Sequence, residues 1–496
     1  MKKILIVLLL CLLPAASYAQ PFEKAVRRNL WNDGLNAAGL RCDSLSFANA
    51  ELGVEWNQGD FRNISDPEQE LLIGAKARGV RHLGKFSMAG SFSFTQKEWY
   101  GASGSMLMDA WRYPFDSYEF IPGRKTFQIY DMSGLISVDV APSWRVGARV
   151  DLKTRNAAKR KDLRYTGYMM DFDFVPSVQY SADLFSIGAT VHYSRNTQTV
   201  SAEQIGTSKE LPRTFFDEGV MTGTDQEWSG TGSHLSVSGV AGFPVAMDRL
   251  GVGLQASVCG FYLDAEYATF GGKAGEKQTI WYRYGGSTLD LKLGWKSDGH
   301  SVRAGAVLER MGNFRTVMDK KTEGGVTIMT EYGANEILDR RSAEAFAEYE
   351  YICSGWELKA RPYWTGTGTA GYPMFPYVVE RKNGMFGLAL TGICHFRFLD
   401  VTAGLEAGSG YLEDSESVAA EGVGVTSSLT HFADVQPGLY SSFVDYSRCT
   451  RLGGRLAARW NFGPGLYTEI GGGLQGGVTA PKAIRWSAGF RFGYNF

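Results

Sequence analysis

Seven arginines and five carboxylates are spaced as the lining of a passage would be. Arg145 and Arg149 alternate with Trp144, Val146, Ala148 and Val150. Arg451, Arg455 and Arg459 alternate with Leu452, Gly454, Leu456, Ala458 and Trp460. Arg485 and Arg491 belong to a run that alternates with Ile484, Trp486, Ala488, Phe490 and Phe492. Glu51, Glu55, Asp151, Glu406 and Glu469 occupy the same kind of position. In an extended chain successive side chains point to opposite faces, so this period separates a charged face from an apolar one. Charges on such a face can knit a polar lining through ion pairs. They can also form a constriction that selects anionic or zwitterionic solutes. Strand order sets Glu469 between the Arg455/Arg459 strand and the Arg485/Arg491 strand. It sets Glu51 and Glu55 across a closing seam from Arg485 and Arg491.

Catalysis and metal binding have no comparable set. Neither G-x-S-x-G nor H-E-x-x-H occurs, and the six histidines are scattered, with His192 and His395 on the charged face by parity. Gly366 to Gly371 fits G-x-G-x-x-G, but Tyr372-Pro373 follows where a helix is required. Cys42, Cys259, Cys353, Cys394 and Cys449 are widely spaced and form no C-x-x-C pair, so neither a zinc site nor a disulfide framework is expected. The reading is of a protein with no catalytic residues, metal or cofactor, and not an enzyme.

Composition narrows the class. The chain has 496 residues, 51 Lys+Arg against 52 Asp+Glu, and a formal net charge of -1. That balance gives no basic face for nucleic acid. Glycine stands at 61 of 496 residues and proline at 15; roughly 7% and 5% are usual. Rich glycine with sparse proline is not a linker composition, and 44% hydrophobic residues can build a packed structure.

The elements that carry these residues are strands. Phe86 to Phe94, Trp144 to Leu152, Phe185 to Tyr193, Leu289 to Trp295, Leu452 to Phe462 and Ile484 to Phe496 all alternate, and no comparable stretch has helical spacing. Short turns at 141–143, 181–183, 297–300 and 463–465 contrast with long segments near 99–128, 197–232, 314–342, 366–383 and 413–448. Aromatic residues such as Trp56, Trp144, Trp295, Trp460, Phe462 and Tyr494 sit at run ends, where membrane interfaces need them. The expected fold is all-β: a transmembrane antiparallel up-and-down β-barrel of about 18 strands (14–18). Periplasmic turns are short and extracellular loops long.

Met1-Lys2-Lys3, the apolar run Ile4 to Leu13 and Ser17-Tyr18-Ala19 read as a signal peptide over residues 1–19. Residues 20–43 form an N-terminal periplasmic or plug-like segment, and 44–496 the barrel, whose first strand runs from Leu45 to Trp56. Glycines within strands, such as Gly471-Gly472-Gly473, mark sharp curvature or the close approach of another backbone. The aromatic segment from Tyr100 to Tyr130 either folds inward as packing or stays outside to meet a partner.

Asn36-Ala37-Ala38-Gly39-Leu40 before the first strand, the alternating body and the terminal Phe496 resemble a Bacteroidota-type outer-membrane β-barrel of a domain-of-unknown-function family. Phe492, Tyr494 and Phe496 resemble the C-terminal signal read by the barrel assembly machinery, although Arg491 replaces the glycine of that pattern. The resemblance implies location in the cell outer membrane, contact with its lipid, and a possible periplasmic or surface partner protein. The expected role is a channel or uptake porin for small solutes or lipids. A non-transporting scaffold in a surface-assembly or secretion complex is the alternative, ahead of a barrel-embedded enzyme.

Overall fold

The structure, a computed structural model, describes residues 31, 34–42, 46–109, 111–205, 212–227, 243–276, 279–324, 326–418, 429–463 and 465–496. Residues 1–19, read above as a signal peptide, lie outside the described residues.

Eighteen strands form one closed antiparallel barrel. They are β1 (Phe47–Gly59), β2 (Gln69–Leu83), β3 (Phe86–Ser105), β4 (Asp116–Ala141), β5 (Trp144–Lys159), β6 (Arg164–Ser181) and β7 (Phe185–Glu203), followed after a small hairpin by β10 (Phe243–Val258), β11 (Phe261–Glu276) and β12 (Thr279–Ser297). The rest are β13 (His300–Glu323), β14 (Val326–Ile352), β15 (Trp356–Gly371), β16 (Tyr377–His395), β17 (Leu399–Val418), β18 (Thr450–Asn461), β19 (Leu466–Gly477) and β20 (Ile484–Asn495). The hairpin, β8 (Arg213–Asp217) and β9 (Gly223–Glu227), pairs with the outer end of β4, so β7 meets β10 directly. β20 pairs with β1, with Leu52 opposite Phe492. Closure leaves no sheet edge, and every wall strand has a hydrogen-bonding neighbour on both sides, as a bilayer demands.

The outside of the wall is apolar. Leu254, Leu405, Ile470 and Leu474 are all more than half exposed because nothing in the chain covers them. Rings gather at the turn-side rim, in Trp144–Tyr180, Phe261–Trp295, Tyr351–Trp356 and Tyr494–Phe496. No helix among the described residues is long and apolar enough to cross a membrane.

The wall differs from the sequence reading in strand length. Segments expected as loops at 314–342 and 366–383 are largely strand, and β3 and β4 run well into 99–128. Above the bilayer both faces of a hairpin are polar, so pairing continues in water without the alternation that marks it in lipid. The first strand is Phe47–Gly59, where Leu45 to Trp56 was expected.

Candidate functional site: the barrel interior

Part of the N-terminal segment lies inside the wall. A 3-10 helix, Ala37–Cys42, sits against β3 to β6. Asn36 Nδ2 donates to Gln255 Oε1 at 3.0 Å and to the Val178 carbonyl at 3.2 Å. Ala38 N–H donates to Ser177 Oγ, and Ser137 Oγ donates to the Ala38 carbonyl. Trp31 packs edge-on to Tyr262 and donates to Ser257 Oγ. Arg41 pairs with Asp139 at 2.9 Å. Two wall glycines make room: a Cβ on Gly147 would stand 2.5 Å from Ala38 N, and one on Gly188 2.4 Å from Asn36 Nδ2.

The outer half of the interior is filled by inward-folded loops. Residues 106–115 carry Met106, Tyr113 and Phe115 into a cluster with Phe216, Phe243, Phe270, Tyr282 and Tyr284. A second cluster joins Ile64, Tyr118, Phe215 and Met221 to Phe432 and Phe443. The last two come from α1 (Phe432–Val435) and α2 (Pro437–Arg448), in the loop between β17 and β18. Arg381 fixes this cap. Its guanidinium grips Asp414 through two contacts of 2.7 and 2.9 Å, and the Tyr440 hydroxyl donates to the same carboxylate at 2.7 Å.

Two acids are enclosed in this cap, beyond the membrane-spanning part of the wall. Asp116 and Asp217 stand opposite each other where β4 meets β8. Asp116 accepts from Ser105 Oγ at 2.7 Å, and Asp217 from the N–H groups of Gly219 and Met221. Complete burial, which disfavours the charged form, pushes Asp116 up to about 7 and Asp217 up to about 6.

The side of the lumen from β16 through β20 to β1 is emptier and carries most of the predicted charge. Glu469 lies between Arg459 and Arg491, taking contacts of 2.9 and 3.1 Å across the two ladders. Glu406 accepts from the Tyr363 hydroxyl and Glu51 from the Tyr467 hydroxyl, both at 2.7 Å. Arg451 lies near the Tyr446 ring, and Arg485 donates to the Pro67 carbonyl. A cavity of ≈ 490 Å³ is lined by Asn57, Glu406, Arg455, Gln475, Arg485 and Ser487. Another of ≈ 340 Å³ is lined by Glu55, Arg455, Glu469 and Arg491. Inward glycines, Gly453, Gly473 and Gly489 among them, leave this space open because they place no side chain in it.

Every predicted lumen residue faces inward, but not all are in one place. Arg145 pairs with Asp139 and Arg149 with Asp151 on the distant β5 side. The seam also differs in detail. Glu51 stands opposite Gly493 and Glu55 opposite Gly489, while Arg491 turns away to Glu469. Antiparallel register puts like-facing residues in fixed rows, and Arg491 falls opposite Gly53 and Arg485 opposite Gly59, so neither shares a row with Glu51 or Glu55. The sequence reading missed Gly147 and Gly188. Lumen-side parity was their only signal, and a glycine set there for curvature has the same parity.

The two inward histidines are clamped. His192 contacts Asp173 at 2.9 Å and Glu266 at 3.1 Å; His395 contacts Asp400 at 2.8 Å and Glu357 at 3.1 Å. Both ring nitrogens of each are engaged by carboxylates, which leaves neither for a nucleophile's proton. Gly366 to Gly371 lies within β15 and opens no helix.

A closed barrel with an apolar outer band and a polar interior defines an integral β-barrel protein of the outer membrane. The chain belongs to DUF6850, a family of unknown function, which it matches over residues 37–496. No curated protein sequence matches it. Similar solved structures include the siderophore receptor PiuA from Acinetobacter baumannii, at 7% identity and a TM-score of 0.42, covering 92% of this chain and 82% of that one. The FrpB iron transporter from Neisseria meningitidis gives 6% identity and a TM-score of 0.41, covering 93% and 83%. A loop-deletion mutant of OmpT, an outer membrane protein of Vibrio cholerae, gives 12% identity and 0.31, covering 91% and 99%.

Proposed function

We propose that the chain is a gated outer-membrane channel or uptake porin for small solutes or lipids, and not an enzyme. One observation carries this reading: the glycine-backed, charge-lined space on the β16–β1 side, where Arg455 borders both cavities. Among the described residues Arg455 has no ion-pair partner, unlike Arg459 and Arg491 beside it. An unpaired cation in a wet passage attracts anionic or zwitterionic solutes. The inward loops at the outer end of the barrel and the N-terminal segment at its turn-side end act as gates. Purified protein in a planar bilayer tests the reading. Arg455→Glu with Arg459→Glu shifts the selectivity of any current toward cations; unchanged selectivity contradicts it.

The packed aromatic core under the outer loops favours a second reading, a scaffold in a surface-assembly or secretion complex. A barrel that never conducts and co-purifies with a periplasmic or surface partner selects that one. In either case residues 1–19 serve as the export signal, residues 20–43 as the periplasmic or plug-like segment and 44–496 as the barrel. Phe492, Tyr494 and Phe496 then engage the assembly machinery, and the Bacteroidota character implied by the resemblance belongs to the same reading.

A further inference from the structure

The wall between β12 and β17 has a hollow of ≈ 560 Å³ on its outer surface, facing away from the lumen. The ladders set Leu289, Leu308, Ala343, Gly366, Gly384 and Tyr411 in one row across it. Ala343, Gly366 and Gly384 have a methyl group or no side chain; the Trp364 and Tyr411 rings fold over the two glycines and the wall recedes beside them, over Ala343. Leu308 stands on one side and Tyr411 on the other. A Cβ on Gly366 would come within 2.6 Å of the Trp364 indole and 3.0 Å of the Tyr411 hydroxyl. Glycine at this position is what lets both rings lie along the surface.

The next row outward is cationic. Arg310, Arg341, Gly368 and Lys382 occupy neighbouring positions on four successive strands. Arg310 and Arg341 are 64% and 70% exposed and share Asp339. Lys382 has no ion pair among the described residues; its cross-strand neighbour is Glu413. Between Arg341 and Lys382, Gly368 leaves a gap with nothing within 4 Å of a Cβ.

Height identifies what this row meets. Arg341 lies ten residues above Tyr351 of the turn-side aromatic rim on the same strand. At a rise of about 3.3 Å per residue and a tilt of about 40°, that is about 25 Å, the height of a barrel's apolar band. The cations therefore stand at the outer headgroup level, with the hollow just below among the acyl chains. A guanidinium matches phosphate oxygens in pairs, and aromatic rings settle at this interface.

We propose that this hollow binds a phosphorylated lipid of the outer leaflet. Its phosphate lies against Arg310, Arg341 and Lys382, and an acyl chain runs over Leu289, Leu308 and Ala343, against the Trp364 and Tyr411 rings. Asp339 holds the two guanidiniums in place for the phosphate. The site is independent of conduction through the lumen.

The test uses the full chain, purified in detergent and stripped of native lipid. It is incubated separately with diphosphorylated lipid A and with phosphatidylethanolamine, and retained lipid is counted by native mass spectrometry. One variant carries Arg310→Gln, Arg341→Gln and Lys382→Gln. A second, Gly368→Glu, puts a carboxylate into the open gap and leaves the packing untouched. Heat-modifiable gel migration verifies that each barrel is folded. The wild type is expected to prefer lipid A by at least about tenfold, and each folded variant to lose that preference. Equal retention of the two lipids by the wild type overturns the site. So does wild-type retention of lipid A by folded Gly368→Glu.

Discussion

Asn36, in the segment that precedes the first strand, donates a 3.0 Å hydrogen bond to Gln255 near the turn-side end of β10. Two side chains separated by more than two hundred residues thus meet inside the barrel. The contact is buried, where an amide pair contributes about 1 kcal/mol and an orphaned partner costs more. The segment is held by many such bonds and by the space over Gly147 and Gly188.

Filling that space dislodges it. Gly147→Val sets a branched side chain where Ala38 N would be 2.5 Å from the Cβ. The barrel should still form, because the new side chain meets the segment and not the neighbouring strand. The expected outcome is faster protease cleavage within residues 31–42 while heat-modifiable migration is retained. Unchanged cleavage would show that the segment accommodates the valine in place.

Arg381 is the second point of control. It is 6% exposed and holds Asp414, with Tyr440 on the same carboxylate. Arg381→Gln leaves Asp414 without its cation, at a cost of about 3 kcal/mol. The penalty falls on the contact between α2 and the barrel. Proteolysis between residues 432 and 448 should accelerate, and single-channel openings should become more frequent. A variant as resistant and as closed as the wild type would remove Arg381 from the gate.

The cap also responds to pH. In the unfolded chain a carboxyl titrates near ~3.9, whereas burial carries Asp116 to about 7 and Asp217 to about 6. Between those values the folded cap binds more protons than the unfolded chain. Its stability is therefore complete below ~4 and falls by up to about 1.4 kcal/mol per pH unit for each acid as pH rises. The loss ends once pH passes the folded values. Arg381 draws Asp217 down, while Asp116 and Glu218 are acidic neighbours. Cleavage within 213–227 should rise from about pH 5 to about pH 8, and Asp116→Asn should flatten that rise. An unaltered pH profile in the variant would exclude Asp116 as its source.

Glu469 is the hinge of the lumen charge. It neutralises Arg459 and Arg491 together. Glu469→Gln removes one negative charge and the ion pair that it makes with Arg459, which is 17% exposed. A destabilisation of about 1–3 kcal/mol is expected, measured as a lower unfolding midpoint in denaturant. Any current should become more anion-selective. Arg149→Gln, which breaks a pair on the far β5 side, should change selectivity less.

The barrel was legible because lipid imposes a strict code. Leu452 to Trp460 alternates since one face meets hydrocarbon, and that period alone sets strand, face and neighbour for Arg459 and Glu469. Where lipid ends the code weakens. Residues 328–336 are paired strand, yet both of their faces meet water and their alternation fades. The interior packing was less legible still. Phe115 meets Phe216 and Tyr282 across a hundred or more residues, and nothing in the local pattern of any of them names the others. The inward fold of the Tyr100 to Tyr130 segment was one of two readings of its aromatic content; Met106, Tyr113 and Phe115 take it. The outward cations Arg310, Arg341 and Lys382 were absent from the reading because no alternating run had been traced through them.

Planar-bilayer recording on one pair of proteins tests the central claim most directly. The pair is the wild type and a variant combining Gly147→Val with Arg381→Gln, the latter with protease-verified displacement at both ends. The account predicts a wild type that is closed with rare openings and a double variant with steady current. Adding Arg455→Glu and Arg459→Glu should then turn that current toward cations. A double variant that is folded, displaced at both ends and silent would contradict the account.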